Sequence, residues 1–174
     1  MLTVYLTERS RGILRFEGIE YPCALGRGGV QEIKCEGDGA TPVGTFILRQ
    51  VFYRSDRLPL PVSGLPVRAL TRDDGWCDDP AHGDYNRLVR LPFEASHENM
   101  WREDNLYDVI VVIGHNDSPP KPGLGSAIFI HCATADFSPT LGCIALARKT
   151  LIGLLPRLAL DMALRVLAPE DQEP

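Results

Sequence analysis

His131 and Cys143 are the two side chains of this sequence best suited to do chemistry together. His131 closes an apolar run, Ser126-Ala127-Ile128-Phe129-Ile130, that reads as a buried strand. A turn-rich loop follows, and the pair Gly142-Cys143 opens a second apolar run. This layout sets an imidazole against a thiol. A free cysteine titrates near ~8.5 and is mostly protonated at neutral pH, so it needs such a base to become a nucleophile. Gly142 permits a sharp turn, which aims the N–H groups of Leu141, Gly142 and Cys143 at one point, as an oxyanion hole requires. His131 then takes the thiol proton and returns one to a leaving amine. A third group orients the ring, and both Asp136 and a backbone carbonyl fit that role. The plainer reading is a buried cysteine acting as a small hydrophobe.

His115 ends a β-branched run at residues 107–113 and is the second candidate, either as a hydrogen-bonded loop histidine or as a substrate contact. If the runs 107–113 and 126–131 are antiparallel neighbours, both histidines are expected at one rim of the sheet. His115, His131, Cys132 and Cys143 also offer nitrogen and sulfur to zinc. Their spacing matches no standard finger, and Cys132 should face away from His131 in a strand. Asp73, Asp74, Asp78, Asp79 and Asp84 lie in a stretch read as a loop, residues 70–87. They lack the spacing of a calcium loop and read as a solvated face, or more weakly as a seat for a cationic amine. Arg87 is suited to a substrate carboxylate, or simply to solubility.

Most of the remaining chain reads as short strands between Gly/Pro turns. They cover residues 3–6, 12–16, 19–25, 30–33, 44–53, 107–113, 126–131, 143–146 and 164–167. Helices are expected at residues 96–102 and 147–160, with Pro156 ending or kinking the second. Residues 116–125, rich in Pro and Gly, form a long loop. The pattern predicts one mainly-β domain, a barrel or sandwich with a few peripheral helices, over residues 1–168, with an acidic tail at 169–174.

The 174 residues suffice for one core, and the net charge of −5, without a basic stripe, argues against a nucleic-acid partner. No apolar run is long enough to span a bilayer. The start, Met1 to Thr7, is too short and polar for a signal peptide. The five cysteines are scattered without a CxxC pair, so no disulfide framework is expected, and Cys23 and Cys35 read as small buried hydrophobes.

Two regions carry a resemblance. One is Gly37-Asp38-Gly39-Ala40-Thr41-Pro42-Val43-Gly44-Thr45-Phe46, with a Thr-Pro-x-Gly-x-Phe strand entry, and the other runs from His131 to Thr140-Leu141-Gly142-Cys143. Between them stand Gly75-Trp76-Cys77-Asp78-Asp79-Pro80, Tyr85-Asn86-Arg87 and Gly125-Ser126-Ala127-Ile128-Phe129. With these, the chain resembles the L,D-transpeptidase catalytic domain family (YkuD/ErfK/YbiS type), in its short stand-alone branch, from about Lys34 to Leu167. The resemblance implies a mainly-β catalytic domain that needs no cofactor and acts on peptidoglycan stem peptides. A thiolate attacks the carbonyl of the third residue, terminal D-alanine leaves, and an amine resolves the thioester. Water in its place gives an L,D-carboxypeptidase, and loss of turnover leaves a peptidoglycan-binding module. Cys143 falls on the nucleophile, His131 on the base, Gly142 on the oxyanion turn and Thr140 on the Ser/Thr of the signature. Leu141 and Ala145 stand where the family has polar residues, and Arg87, His115 or Arg148 are the candidates to replace them. The substrate implies a periplasmic or cell-envelope location, with the cytoplasm as the alternative given the missing signal.

Overall fold

In the computed structural model, which describes residues 1–171, the chain forms fourteen strands and little helix. They are β1 (Leu2–Glu8), β2 (Arg11–Phe16), β3 (Ile19–Ala24), β4 (Val30–Gln31), β5 (Thr41–Pro42), β6 (Gly44–Tyr53) and β7 (Val67–Ala69). Then follow β8 (Asp74–Cys77), β9 (Leu88–Arg90), β10 (His97–Asn99), β11 (Val109–Ile113), β12 (Phe129–Cys132), β13 (Ile144–Leu146), helix α1 (Arg148–Leu154) and β14 (Ala163–Val166). The order β11-β12-β13-β3-β2-β1-β14-β6 closes on itself, because β6 also pairs with β11. The expected mainly-β architecture is a closed, barrel-like sheet, and closure leaves few strand edges to protect. Among the described residues no helix is long and apolar enough to cross a membrane.

Alternation along the strands sorts residues between two cores. Val109, Val111, Ile130, Cys132, Ile144 and Leu146 point into the barrel with Leu2, Leu14 and Leu164. Ile110, Val112, Phe129 and Cys143 point outward, into a second apolar cluster with Trp76, Met100 and Tyr107. A small sheet, β10-β8-β9, supplies the cover of that second cluster. Strand β11 is therefore buried on both faces, which is why its sequence is a continuous β-branched run rather than an alternating one.

Several expectations need correction. Residues 96–102 are not a helix. His97–Asn99 pair antiparallel with β8, because the outward face of β11 and β12 must be covered and a small three-stranded sheet does so. The stretch 70–87 is not a solvated loop throughout, since Asp74 is 2% exposed and its carboxylate accepts from Arg68 and from the Thr71 N–H. The second helix is shorter than expected, and gives way at Leu155–Arg157, around Pro156, to a 3-10 turn. Cys23 is buried as expected, but Cys35 is exposed. Of the segment 169–174, Pro169–Asp171 form a further 3-10 turn and the remainder lies outside the described residues.

Asn86 ties the small sheet to the barrel. Its Oδ1 accepts from Trp76 Nε1 at 2.9 Å and from the Ala127 N–H at 3.1 Å. Its Nδ2 donates to the carbonyls of His115 and Asn116 at 3.0 and 2.8 Å. Its φ of 57° is a left-handed angle that asparagine tolerates better than most residues. Replacing Asn86 with alanine strands four buried or half-buried partners. Urea unfolding of Asn86→Ala should show a loss of about 3 kcal/mol, and a loss below ~1 kcal/mol would contradict this role.

Candidate active site

Parallel pairing of β12 with β13 sets Ile130 opposite Ile144 and His131 opposite Ala145. Phe129, His131, Cys143 and Ala145 thus share the outward face. His131 stands one pleat repeat beyond Cys143, about 7 Å along the strand direction. Both line one cavity of ≈ 520 Å³, with Leu141 and Thr140 at its rim. The thiol of Cys143 donates to the Ala127 carbonyl at 3.2 Å, and the Phe129 N–H donates to its sulfur at 3.3 Å. Burial, reinforced by the charge of Glu98, pushes the thiol up to about 12. Burial lowers His131 to about 4, so its ring is neutral at pH 7. The resting pair is a neutral thiol beside a neutral imidazole.

The ring of His131 is oriented by a backbone carbonyl, its own neighbour's. Nδ1 lies 2.9 Å from the Cys132 carbonyl and must donate to it, which leaves Nε2 as the proton acceptor. Asp136 is turned away, accepting from Ser138. The edge of Tyr107 packs on the imidazole at 5.3 Å between centroids.

The turn ahead of Cys143 is built by Thr140, whose hydroxyl donates to the Cys143 carbonyl at 2.7 Å and accepts from the Gly142 N–H at 3.1 Å. The Gly142 N–H is thereby engaged, so of the three N–H groups expected to aim at one point only those of Leu141 and Cys143 stay available to an oxyanion. Gly142 itself must be glycine. Its φ is +130°, and a Cβ there would meet the Ala40 carbonyl oxygen at 2.8 Å. The Ala40-Thr41-Pro42 segment braces this turn. Thr41 Oγ1 accepts from the Gly26 N–H at 2.9 Å, and Gly26 bridges Thr140. The Thr41 hydroxyl therefore supports the turn ahead of Cys143 by way of Gly26. Leu141 is 71% exposed, an apolar side chain at the cavity mouth.

His115 and Arg87 do not join this cavity. Strands β11 and β12 are antiparallel, as expected, with Ile110 opposite His131 and Val112 opposite Phe129. That pairing sends His115 past the start of β12, whereas His131 sits near its end, so the two histidines do not share a rim. His115 packs edge-on against Phe46 at 5.4 Å. It lines a separate cavity of ≈ 250 Å³ with Arg87. Arg148 is held by Asp108 at 2.8 Å. The zinc alternative fails on the same geometry: Cys132 faces the barrel interior, near the Val109 carbonyl, and His115 is elsewhere. Among the described residues no group of three His, Cys, Asp or Glu side chains is placed to hold a metal ion.

In place of those side chains the cavity holds Glu98, Asp78, Arg102 and Tyr107. Tyr107 Oη donates to Glu98 Oε1 at 2.5 Å. Sequence reasoning missed Glu98 because it read residues 96–102 as a surface helix. Tyr107 had no local signal beyond its strand setting, and Asp78 stood only within the acidic run read weakly as a seat for a cationic amine.

A family model, the L,D-transpeptidase catalytic domain, YkuD, matches residues 3–166. No curated protein matches. Among solved structures, the chain is similar to an L,D-transpeptidase from Mycobacterium smegmatis, with 14% identity and a TM-score of 0.41. The alignment covers 96% of this chain and 58% of that one, so the chain spans less than two thirds of that structure's length. With the family model matched over nearly its whole length, the chain belongs to the L,D-transpeptidase catalytic domain family.

Proposed function

We propose that this chain is a cysteine-dependent L,D-transpeptidase acting on peptidoglycan stem peptides, with Cys143 as nucleophile and His131 as base. Family membership supports a peptidoglycan transpeptidase-type function. The observation that carries the finer reading is the shared cavity, in which Cys143 and His131 occupy the same strand face. His131 Nε2 takes the thiol proton once the side chain rotates off the Ala127 carbonyl. The thiolate then attacks the carbonyl of the third stem residue. The developing oxyanion meets the N–H groups of Leu141 and Cys143, which the turn holds in advance of the reaction. Collapse breaks the bond to terminal D-alanine, whose nitrogen takes the proton back from His131. An amine of a second stem then attacks the thioester, restoring the thiol. Such substrates place the enzyme's work in the periplasm or cell envelope.

A carbapenem should acylate the protein, raising its intact mass by one inhibitor in the wild type and not in Cys143→Ala. An adduct that survives Cys143→Ala would sink the assignment. Muropeptide mass spectrometry then separates cross-linking from simple release of D-alanine.

The pH dependence has a defined sign. His131 is lowered by burial to about 4. Its base form is present above that value and is lost as pH falls through it. The acid limb of carbapenem acylation should therefore lie near pH 4 rather than near the ordinary histidine value of ~6.5. A limb at that ordinary value would contradict the buried neutral base.

Gly142→Ala forces a side chain into the Ala40 carbonyl. The variant should fold with a loss of about 1–3 kcal/mol. Its acylation rate should fall about 100-fold, through misplaced oxyanion donors. Unchanged acylation kinetics would remove the turn from the mechanism.

A further inference from the structure

The catalytic cavity has a carboxylate wall that the acylation chemistry does not use. Glu98 on β10 and Asp78, which follows β8, both line the cavity of Cys143 and His131. Paired strands bring them together, with Cys77 opposite His97 and the Asp78 N–H donating to the Ser96 carbonyl at 3.2 Å. Asp78 Oδ1 is a buried oxygen with no hydrogen-bond partner among the described residues. A buried acceptor without a donor is costly, and it marks a place where a donor from outside fits. Glu98 has one oxygen held by Tyr107. The lining also includes Glu36, already engaged by Tyr85 and Ser126, and the cations Arg27 and Arg102, and within it the neighbouring Glu98 and Asp78 suit a compact group that carries several N–H donors and a positive charge, which is an alkylammonium.

We propose that Glu98 and Asp78 form the subsite for the incoming acceptor amine, which arrives as an ammonium ion. This rests on the acyl-transfer reading of Cys143. An ammonium cannot attack a thioester until it loses a proton, and Glu98 is placed to take it. Burial, above all, raises the Glu98 carboxyl, and the charge of Asp78 adds to that, against the pull of Tyr107 and Arg102. One proton passes from the ammonium to the Glu98 carboxylate. The amine lone pair forms the C–N bond, the C–S bond breaks, and the sulfur keeps the electron pair. A second amine proton reaches the sulfur by way of His131, and the third stays on the new amide. Glu98 returns its proton to water.

The same wall affects the free enzyme. The groups acting on the Cys143 thiol are Glu98, which raises it, and the Phe129 N–H and Lys34, which lower it, beside the dominant effect of burial. A cation docked on Glu98 offsets that charge and makes the thiol more reactive.

The test uses the full chain, with Glu98→Gln and Asp78→Asn. Acyl-enzyme is formed with a stem tetrapeptide. Transfer is followed by mass spectrometry against lysine amide, a cation at neutral pH, and hydroxylamine, which is neutral there. Glu98→Gln should raise the half-saturating lysine amide concentration about tenfold while leaving hydroxamate formation from the acyl-enzyme unchanged. Asp78→Asn should move the same way and serves if Glu98→Gln does not fold. Equal loss with both acceptors, or slowed acylation with unchanged aminolysis, overturns the acceptor subsite. If the wild type never forms an acyl-enzyme, the acyl-transfer reading fails instead. Alkylation of Cys143 by iodoacetamide then decides the cation site. Cadaverine should speed it several-fold in the wild type, pentane-1,5-diol should not, and Glu98→Gln should be fast without either. A wild type indifferent to cadaverine overturns it.

Discussion

The site depends on one small arrangement, the slot that holds the Cys143 sulfur between the Ala127 carbonyl and the Phe129 N–H. Those two groups belong to the entry of β12, and they stay in place because Ala127 turns through a φ of 52° and is fastened by Asn86. Asn86 in turn is the link between the small sheet and the long Pro-rich loop. The covering sheet, the loop and Cys143 thus form one connected unit. The barrel beneath gives that unit a rigid floor, since β11 and β12 are packed on both faces and interiors of this density deform little.

Burial has an electrostatic consequence. It disfavours the charged forms of both members of the dyad, raising the thiol and lowering the imidazole. Burial thus favours a thiol and a neutral imidazole over a thiolate–imidazolium pair. The turn that carries the Leu141 and Cys143 N–H groups, by contrast, is held by Thr140 and by the brace of Thr41 behind it.

Parts of this site were legible in the sequence for physical reasons. The strand ending at His131 and the Gly142-Cys143 turn showed through hydrophobic runs and a glycine, signals that act over a few residues. The antiparallel neighbourhood of β11 and β12 was also readable, but not its consequence for His115. A short register difference decides which end of a pair a residue occupies. Glu98 was lost because the segment around it has too few residues to show a period, and its strand form comes only from pairing with β8. Asp74 was read as solvated, and its burial depends on Arg68 and the Thr71 N–H, partners that no spacing announces.

The sequence by itself determined the fold class, the Gly142-Cys143 turn and the family, because strand periodicity, a required glycine and the paired motifs are local properties of the chain. Tertiary structure decided which groups meet at the sulfur. The closed sheet sent His115 and Arg87 to a separate cavity, gave the Gly142 N–H to Thr140, and brought a carboxylate wall over Cys143. These outcomes turn on strand register and on which face each side chain takes, and both are settled only when strands distant in sequence pack together.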